Sequence, residues 1–226
     1  MNRNFLFVLL LSGIFFIACN VNTEDPVDMG YDYYPLKTNA YMIYEVDSIF
    51  WDDFYDPVKI DTSYYQVKEI VVEHIQDDQN KDVFLAERYI RPSDTADWKI
   101  DYVYTLQRES TKILKMVDNK YVIPFVFPPK AGYQWDVNGY NSSLQNIYEY
   151  SVVDDIFVID NQEYSNTVTV EQQNLTTLIS KNLAYEVYAS QIGMVYKEVI
   201  DQDLNINTGE VESGVHYTYK LIDYGL

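Results

Sequence analysis

The sequence predicts an all-β protein: an antiparallel sandwich, barrel or curved half-barrel with at most one or two short helices. Three observations point there. Tyrosine is used heavily, 23 copies in 226 residues, and its ring suits a half-buried pleated face while its hydroxyl stays wet. Apolar residues recur at period two through most of the chain, not at 3.6. Asn, Asp and Gly fall between those runs, where hairpins need left-handed backbone.

Element by element, the alternation of Tyr41 to Ile49 marks a first strand. Tyr64 to Val72 and Val83 to Ile90 form a hairpin pair across the polar run Gln76 to Asp82. Lys99 to Gln107, Lys112 to Val117 and Tyr121 to Phe127 follow, the last two joined by Asp118-Asn119-Lys120. Then come Tyr148 to Val153, Ile156 to Ile159 and Thr167 to Gln172, with a turn at Asp160-Asn161-Gln162. Leu183 to Tyr188, Met194 to Ile200 and His216 to Ile222 complete the set, with Asn207-Thr208-Gly209 turning between the last two. The pairs Tyr102/Tyr104, Tyr148/Tyr150 and Tyr217/Tyr219 each share one face of their strand. Ser142 to Tyr150 and Ser180 to Ala189 are the two segments long enough for a short helix. An internal echo aligns Tyr34-Pro35-Leu36-Lys37-Thr38-Asn39 with Phe127-Pro128-Pro129-Lys130-Ala131-Gly132. Each gives a rigid entry, a turn and a heavy side chain opening a strand. It marks either related halves or a common way to start a strand.

Ahead of the strands, Phe5 to Ala18 is an apolar run too short to span a bilayer comfortably, with Arg3 as a thin positive lead. It ends at Cys19, the one cysteine of the chain. Phe16-Ile17-Ala18-Cys19 resembles a bacterial lipobox, in which the cysteine is acylated and becomes the first mature residue. The expected organisation is a signal peptide over residues 1–18, a flexible tether over 19–32 and a single β-domain over 33–226. Asn20 after the cysteine predicts outer-membrane sorting, on the periplasmic or the cell-surface face. With Cys19 lipidated, no thiol remains for a disulfide or a thiolate metal site.

Charge narrows the partners. The formal net charge is −19, from 35 acidic and 16 basic residues. Such a surface repels phosphate backbones, so no nucleic acid is expected. It repels anionic lipid too, leaving the N-terminal lipid as the link to the membrane. The expected assembly is a monomer, and no cofactor is implied.

Three stretches carry a resemblance. They are Tyr34-Pro35-Leu36-Lys37 through Tyr44, Pro129 to Trp135, and Tyr188-Ala189-Ser190-Gln191-Ile192-Gly193-Met194-Val195-Tyr196-Lys197-Glu198. They resemble landmarks of a group of Bacteroidetes lipoproteins, which read FPL-K-x-G-N-x-W-x-Y first and Y-A-x-G-I-G-x-V-x-K-E last. Asn39 stands for the first glycine, Met42 for the tryptophan, and Gln191 for the glycine before Ile192. The motifs are structural and bring no activity with them.

Candidate chemistry is sparse. Asp201, Asp203, Asn205 and Glu212 fall at positions 1, 3, 5 and 12 of an EF-hand-like run, a weak calcium candidate, because Ile206 occupies the position that demands glycine. Phe50, Trp51, Phe54 and Tyr55 form an aromatic, acidic cluster suited either to stacking a sugar or apolar ligand or to plugging a barrel end. The doublets Asp52-Asp53, Asp77-Asp78 and Asp154-Asp155 point to opposite faces of any strand, so none is itself a glycosidase pair. His74 and His216 lack ligand spacing, and no nucleophile-and-base pattern occurs. The expectation is a non-catalytic envelope lipoprotein binding a ligand, glycan or envelope protein. The alternative is a carbohydrate-active enzyme, which needs two carboxylates facing one cleft.

Overall fold

The computed structural model describes residues 27–226. Twelve strands form one antiparallel sheet, in the order β6-β5-β4-β3-β2-β1-β12-β11-β10-β9-β8-β7, curled into a nearly closed barrel. The strands are β1 (Tyr41–Asp52), β2 (Lys59–Gln76), β3 (Asp82–Arg91), β4 (Lys99–Arg108), β5 (Lys112–Val117) and β6 (Lys120–Val126). They continue as β7 (Gln134–Asp136), β8 (Ile147–Ile159), β9 (Gln162–Thr176), β10 (Ser180–Ala189), β11 (Gly193–Leu204) and β12 (Val211–Gly225). The sole helical element among the described residues is a 3-10 turn at Tyr31–Tyr33, and no described helix is long and apolar enough to cross a membrane.

Hairpin chemistry acts where it was expected. Asp118 and Asn119 (φ 49° and 60°) and Asp160 and Asn161 (φ 49° and 67°) both place two consecutive residues in the left-handed region. That is the signature of the two-residue turn whose twist matches paired strands.

Three expectations change. Ser180 to Ala189 is β10, because the alternation through Leu183-Ala184-Tyr185-Glu186-Val187-Tyr188 is satisfied by ladders to β9 and β11 on both sides. Ser142 to Asn146 is loop and Ile147 begins β8, so neither segment is helical. The two short runs read around Asp154-Asp155 are one strand, kept in register by bulges, one of them between Val153 and Asp155.

The internal echo is a real structural repeat. Asn39 and Gly132 both sit at positive φ, 69° and 78°. Each is followed by an amide bonded back to a lysine carbonyl, Ala40 N to Lys37 O and Tyr133 N to Lys130 O, both at 3.0 Å. Each unit also grips the neighbouring strand alike. Asn39 N donates to Val71 O and Val71 N donates to Ala40 O; Gly132 N donates to Tyr150 O and Tyr150 N donates to Tyr133 O. The units open β1 and β7, the first strands of two consecutive meanders joined side by side along β1 and β12.

The two sheet edges meet through side chains as well as backbone. Ile123 N donates to Val137 O at 2.9 Å, and the Trp135 indole donates to Ile123 O at 2.8 Å. The buried Tyr150 hydroxyl donates to Val126 O and accepts from Val126 N. Pro124 sits in β6 beside a register shift of the β5–β6 ladder, where its missing N–H leaves no bond unmade. Phe125, Trp135 and Tyr150 pack at ring-centroid distances of 5.3 Å and 4.7 Å from Tyr150. Burying each such ring contributes about 1.5 to 3 kcal/mol, so the seam is held largely by aromatic packing.

The segment before β1 closes one end. Gly30 N donates to the Asp28 carboxylate, Tyr31 packs edge-on against Phe127 at 4.8 Å, and Gln191 N donates to Asp32 O. Tyr34 then stacks on Tyr188 at 5.7 Å. That end carries the N-terminal approach; the hairpin tips after β1, β9 and β11 lie at the other.

Candidate functional site

Strand alternation lines the middle of the barrel with charge and tyrosine. A cavity of about 330 Å³ lies there, walled by residues of nine strands and the entering segment. Tyr34, Pro35 and Leu36 form its floor at the closed end, and Met42 and Tyr44 come from β1. Tyr102, Tyr104 and Leu106 from β4, Tyr188 from β10, and Tyr217 and Tyr219 from β12 supply most of the remaining wall. Its volume is at the lower end of the range for small-molecule sites, about 300 to 1,000 Å³.

Five charged groups reach this space: Glu69, Arg88, Lys115, Glu186 and Lys197. Register explains four of them. Glu69 lies directly opposite Arg88 on the β2–β3 ladder, and Glu186 directly opposite Lys197 on the β10–β11 ladder. The Lys197 ammonium sits 2.8 Å from Glu186 Oε1, and the Tyr188 hydroxyl donates to Glu186 Oε2 at 2.7 Å. Arg88 spans the barrel: 3.4 Å to Glu69, 3.0 Å to Asp101, and a 2.7 Å bond donated to the Tyr219 hydroxyl.

The electrostatics follow from burial and pairing. Burial alone pushes the Glu186 carboxyl up, but Lys197, Tyr188 and Gln172 more than reverse this and hold it below the usual range. Burial would lower Lys197; the attraction of Glu186 outweighs it and keeps the ammonium firmly charged. The same contest raises Arg88, with burial opposed by Tyr219 and Glu69. Tyr34, Tyr44, Tyr104 and Tyr188 are pushed well up, first by burial and then by the nearby carboxylates, so their hydroxyls stay protonated. Lys115 is the exception among the cations: burial pulls it down, and the attraction of Glu69 and Glu186, neither in contact with it, does not reverse this.

The residues read from sequence fall elsewhere. Cys19 lies outside the described residues. Phe50 and Trp51 end β1, and Phe54 and Tyr55 sit on the β1–β2 hairpin tip. Phe54 is 87 % exposed and stands edge-on to Tyr55 at 5.5 Å, with Lys59 over the Tyr55 ring. The tip projects outward and does not plug the barrel. Asp201 and Asp203 lie on β11, and Asp203, Asn205 and Glu212 each engage a carboxylate or amide oxygen within the hairpin. Asn205 Nδ2 donates to Glu212, Asn205 Oδ1 accepts from the amides of Asn207 and Thr208, and Asp203 accepts from Ser213. Among the described residues no three His, Cys, Asp or Glu side chains gather at metal-holding distance.

The aspartate doublets serve turns and packing: Asp77 caps its loop, and Asp154 accepts from the Tyr33 hydroxyl. His74 stacks on Phe84 at 4.6 Å and pairs with Asp82, while His216 pairs with Glu198. The carboxylates that do face one cavity are Glu69 and Glu186, which sequence reasoning did not select. A signal was present for Glu186 alone, a charged residue on the same strand face as the core tyrosine Tyr188. Tyr102/Tyr104 and Tyr217/Tyr219, read as sharing a face, both face the cavity. The first and third landmark stretches converge there too, through Tyr34 to Tyr44 and Tyr188 to Lys197.

No family model and no curated protein matches this chain. Among solved structures, a candidate lipoprotein from Parabacteroides distasonis is similar at TM-score 0.43 and 8 % identity, covering 85 % of this chain and 98 % of its own. A candidate exported protein with a YmcC-like fold from Bacteroides fragilis is similar at TM-score 0.40 and 12 % identity, with the same coverages. At these scores the likenesses carry no functional argument, and the reading rests on the site.

Proposed function

We propose that this protein is a lipid-anchored, non-catalytic binding protein of the bacterial envelope that holds a small ligand inside its barrel. The observation that carries the reading is the cavity: tyrosine walls, a few convergent charged groups and a closed floor are the usual features of a small-ligand site. A binding protein for another envelope protein would rely instead on an exposed aromatic face. The anchor rests on Cys19 and the apolar run before it; outer-membrane placement rests on Asn20.

Catalysis by a carboxylate pair is the weaker reading. Glu69 and Glu186 do face one cavity, but a glycosidase needs one carboxyl that keeps its proton. Glu186 is held deprotonated by Lys197, and Glu69 is engaged by Arg88.

Two measurements test the proposal. Mass spectrometry of the chain purified from a Gram-negative envelope is expected to show an acylated Cys19 as the first residue; an unmodified start elsewhere refutes the anchor. Native mass spectrometry of the same material is expected to show a bound small molecule that is lost when Tyr104 and Tyr219 are replaced by alanine. Hydrolysis of a glycan panel, abolished by Glu69→Gln or Glu186→Gln, would overturn the non-catalytic assignment.

A further inference from the structure

Lys115 is the odd group in the cavity. Arg88 touches two carboxylates and Lys197 touches one, whereas Lys115 has no ion-pair or hydrogen-bond partner among the described residues. Its ammonium lies 4.0 Å from the centroid of the Tyr104 ring, over the face, and opens onto the cavity. Register puts it there: Lys115 pairs with Leu106 on β4, and Leu106 itself faces the cavity. A cation–π contact offsets only part of the cost of taking an ammonium out of water.

The uncharged groups around it are also unspent. Tyr34, Tyr102, Tyr104 and Tyr217 line the same space, and their hydroxyls make no hydrogen bond to another of the described residues. No fully buried side-chain nitrogen or oxygen among the described residues lacks a partner, so these groups face open volume. The cavity therefore presents one uncompensated positive charge, several free hydroxyls and flat ring walls, inside a chain whose net charge is −19. On an acidic surface an unpaired lysine is easily satisfied; inside a barrel it calls for an anion.

We infer that Lys115 is the anion-recognition point of the cavity, and that the ligand is a small monocarboxylate on a ring body. This rests on the reading that the cavity binds a ligand. The carboxylate takes charge-assisted bonds from the ammonium, the rings stack on its body, and the tyrosine hydroxyls bond its polar substituents. A sugar acid and a hydroxylated aromatic acid share this chemistry.

The test uses the purified full chain in a non-ionic detergent, with four probes. Glucuronate is compared with methyl glucoside, and 4-hydroxyphenylacetate with its amide. Binding is read by calorimetry, and its location by NMR of labelled tyrosines. At least one acid is expected to bind and shift cavity tyrosines, with its neutral counterpart weaker by about tenfold or more, the size of one charge-assisted contact. Lys115→Met is expected to abolish that preference and Lys115→Arg to retain it; Lys115→Gln replaces the Met variant if that fails to fold. Whichever acid wins identifies the source as sugar or aromatic. Equal binding of acid and neutral probe, or an acid preference unchanged in the Met variant, overturns the anion inference and leaves the cavity reading standing. If no probe shifts any cavity tyrosine at millimolar concentration, the inference falls; loss of the co-purified molecule on tyrosine replacement then separately decides the cavity reading.

Discussion

Lys197→Met tests whether the Glu186–Lys197 pair is held as described. The pair is largely buried, with side-chain exposures of 11 % for Glu186 and 24 % for Lys197, and its atoms are 2.8 Å apart. Removing the lysine leaves the carboxylate with the Tyr188 hydroxyl and Gln172 but no cation. Truncating one partner of a buried pair costs about 3 to 5 kcal/mol, because the other charge stays buried and uncompensated. For a chain of this size that is a fall in Tm of about 6 to 20 °C, a large share of the roughly 5 to 15 kcal/mol of a typical domain. Glu186→Leu combined with Lys197→Met removes both charges and is expected to recover most of the loss. Urea denaturation at neutral pH measures the wild type and both variants. The pH dependence gives a second handle. In the wild type the lowered Glu186 contributes stability that is present above its unfolded value of 4.5 and lost as pH falls through its lower folded value. In Lys197→Met the uncompensated carboxyl titrates higher, so it takes up its proton sooner on acidification and the gap to wild type narrows. A single variant that costs less than about 1 kcal/mol, in the range of an exposed ion pair, or a gap that widens toward acid, refutes the argument.

Other outcomes follow from other parts of the barrel. Tyr150→Phe strips the seam of a hydroxyl bonded to both polar atoms of Val126, and the orphaned groups are expected to cost about 1 to 3 kcal/mol in urea unfolding. Gly214→Ala should be among the worst single changes outside the core: at φ 120° a Cβ would lie 2.1 Å from Asp201 O, and a loss above about 2 kcal/mol is expected in thermal melts. Phe54→Ala should leave stability within about 0.5 kcal/mol, since the ring is 87 % exposed; a larger loss would mean that the tip packs into the barrel.

Much of the architecture was legible in the residues. Period-two alternation located eleven of the twelve strands, and paired Asp-Asn turns fixed two hairpins, because both signals are local. The strand that escaped, β7, has three residues, too few to show a period. Ser180 to Ala189 was ambiguous for the same reason that short apolar runs generally are: its pattern fits two turns of helix until the neighbouring strands claim its hydrogen bonds. The cavity was not legible. Glu69 is one of 35 acidic residues, and nothing in its neighbourhood distinguishes it from a solvated charge.

The sequence by itself determined the sheet class, the hairpin positions and which tyrosines share a face. Those features depend on backbone propensity and alternation over a few residues. Only the tertiary structure decided which face turns inward, that the ends of the sheet meet through Trp135 and Tyr150, and that Glu186 and Lys197 find each other while Lys115 finds no one. Inward and outward faces obey the same period, and charge pairing across a barrel depends on register between strands far apart in the chain.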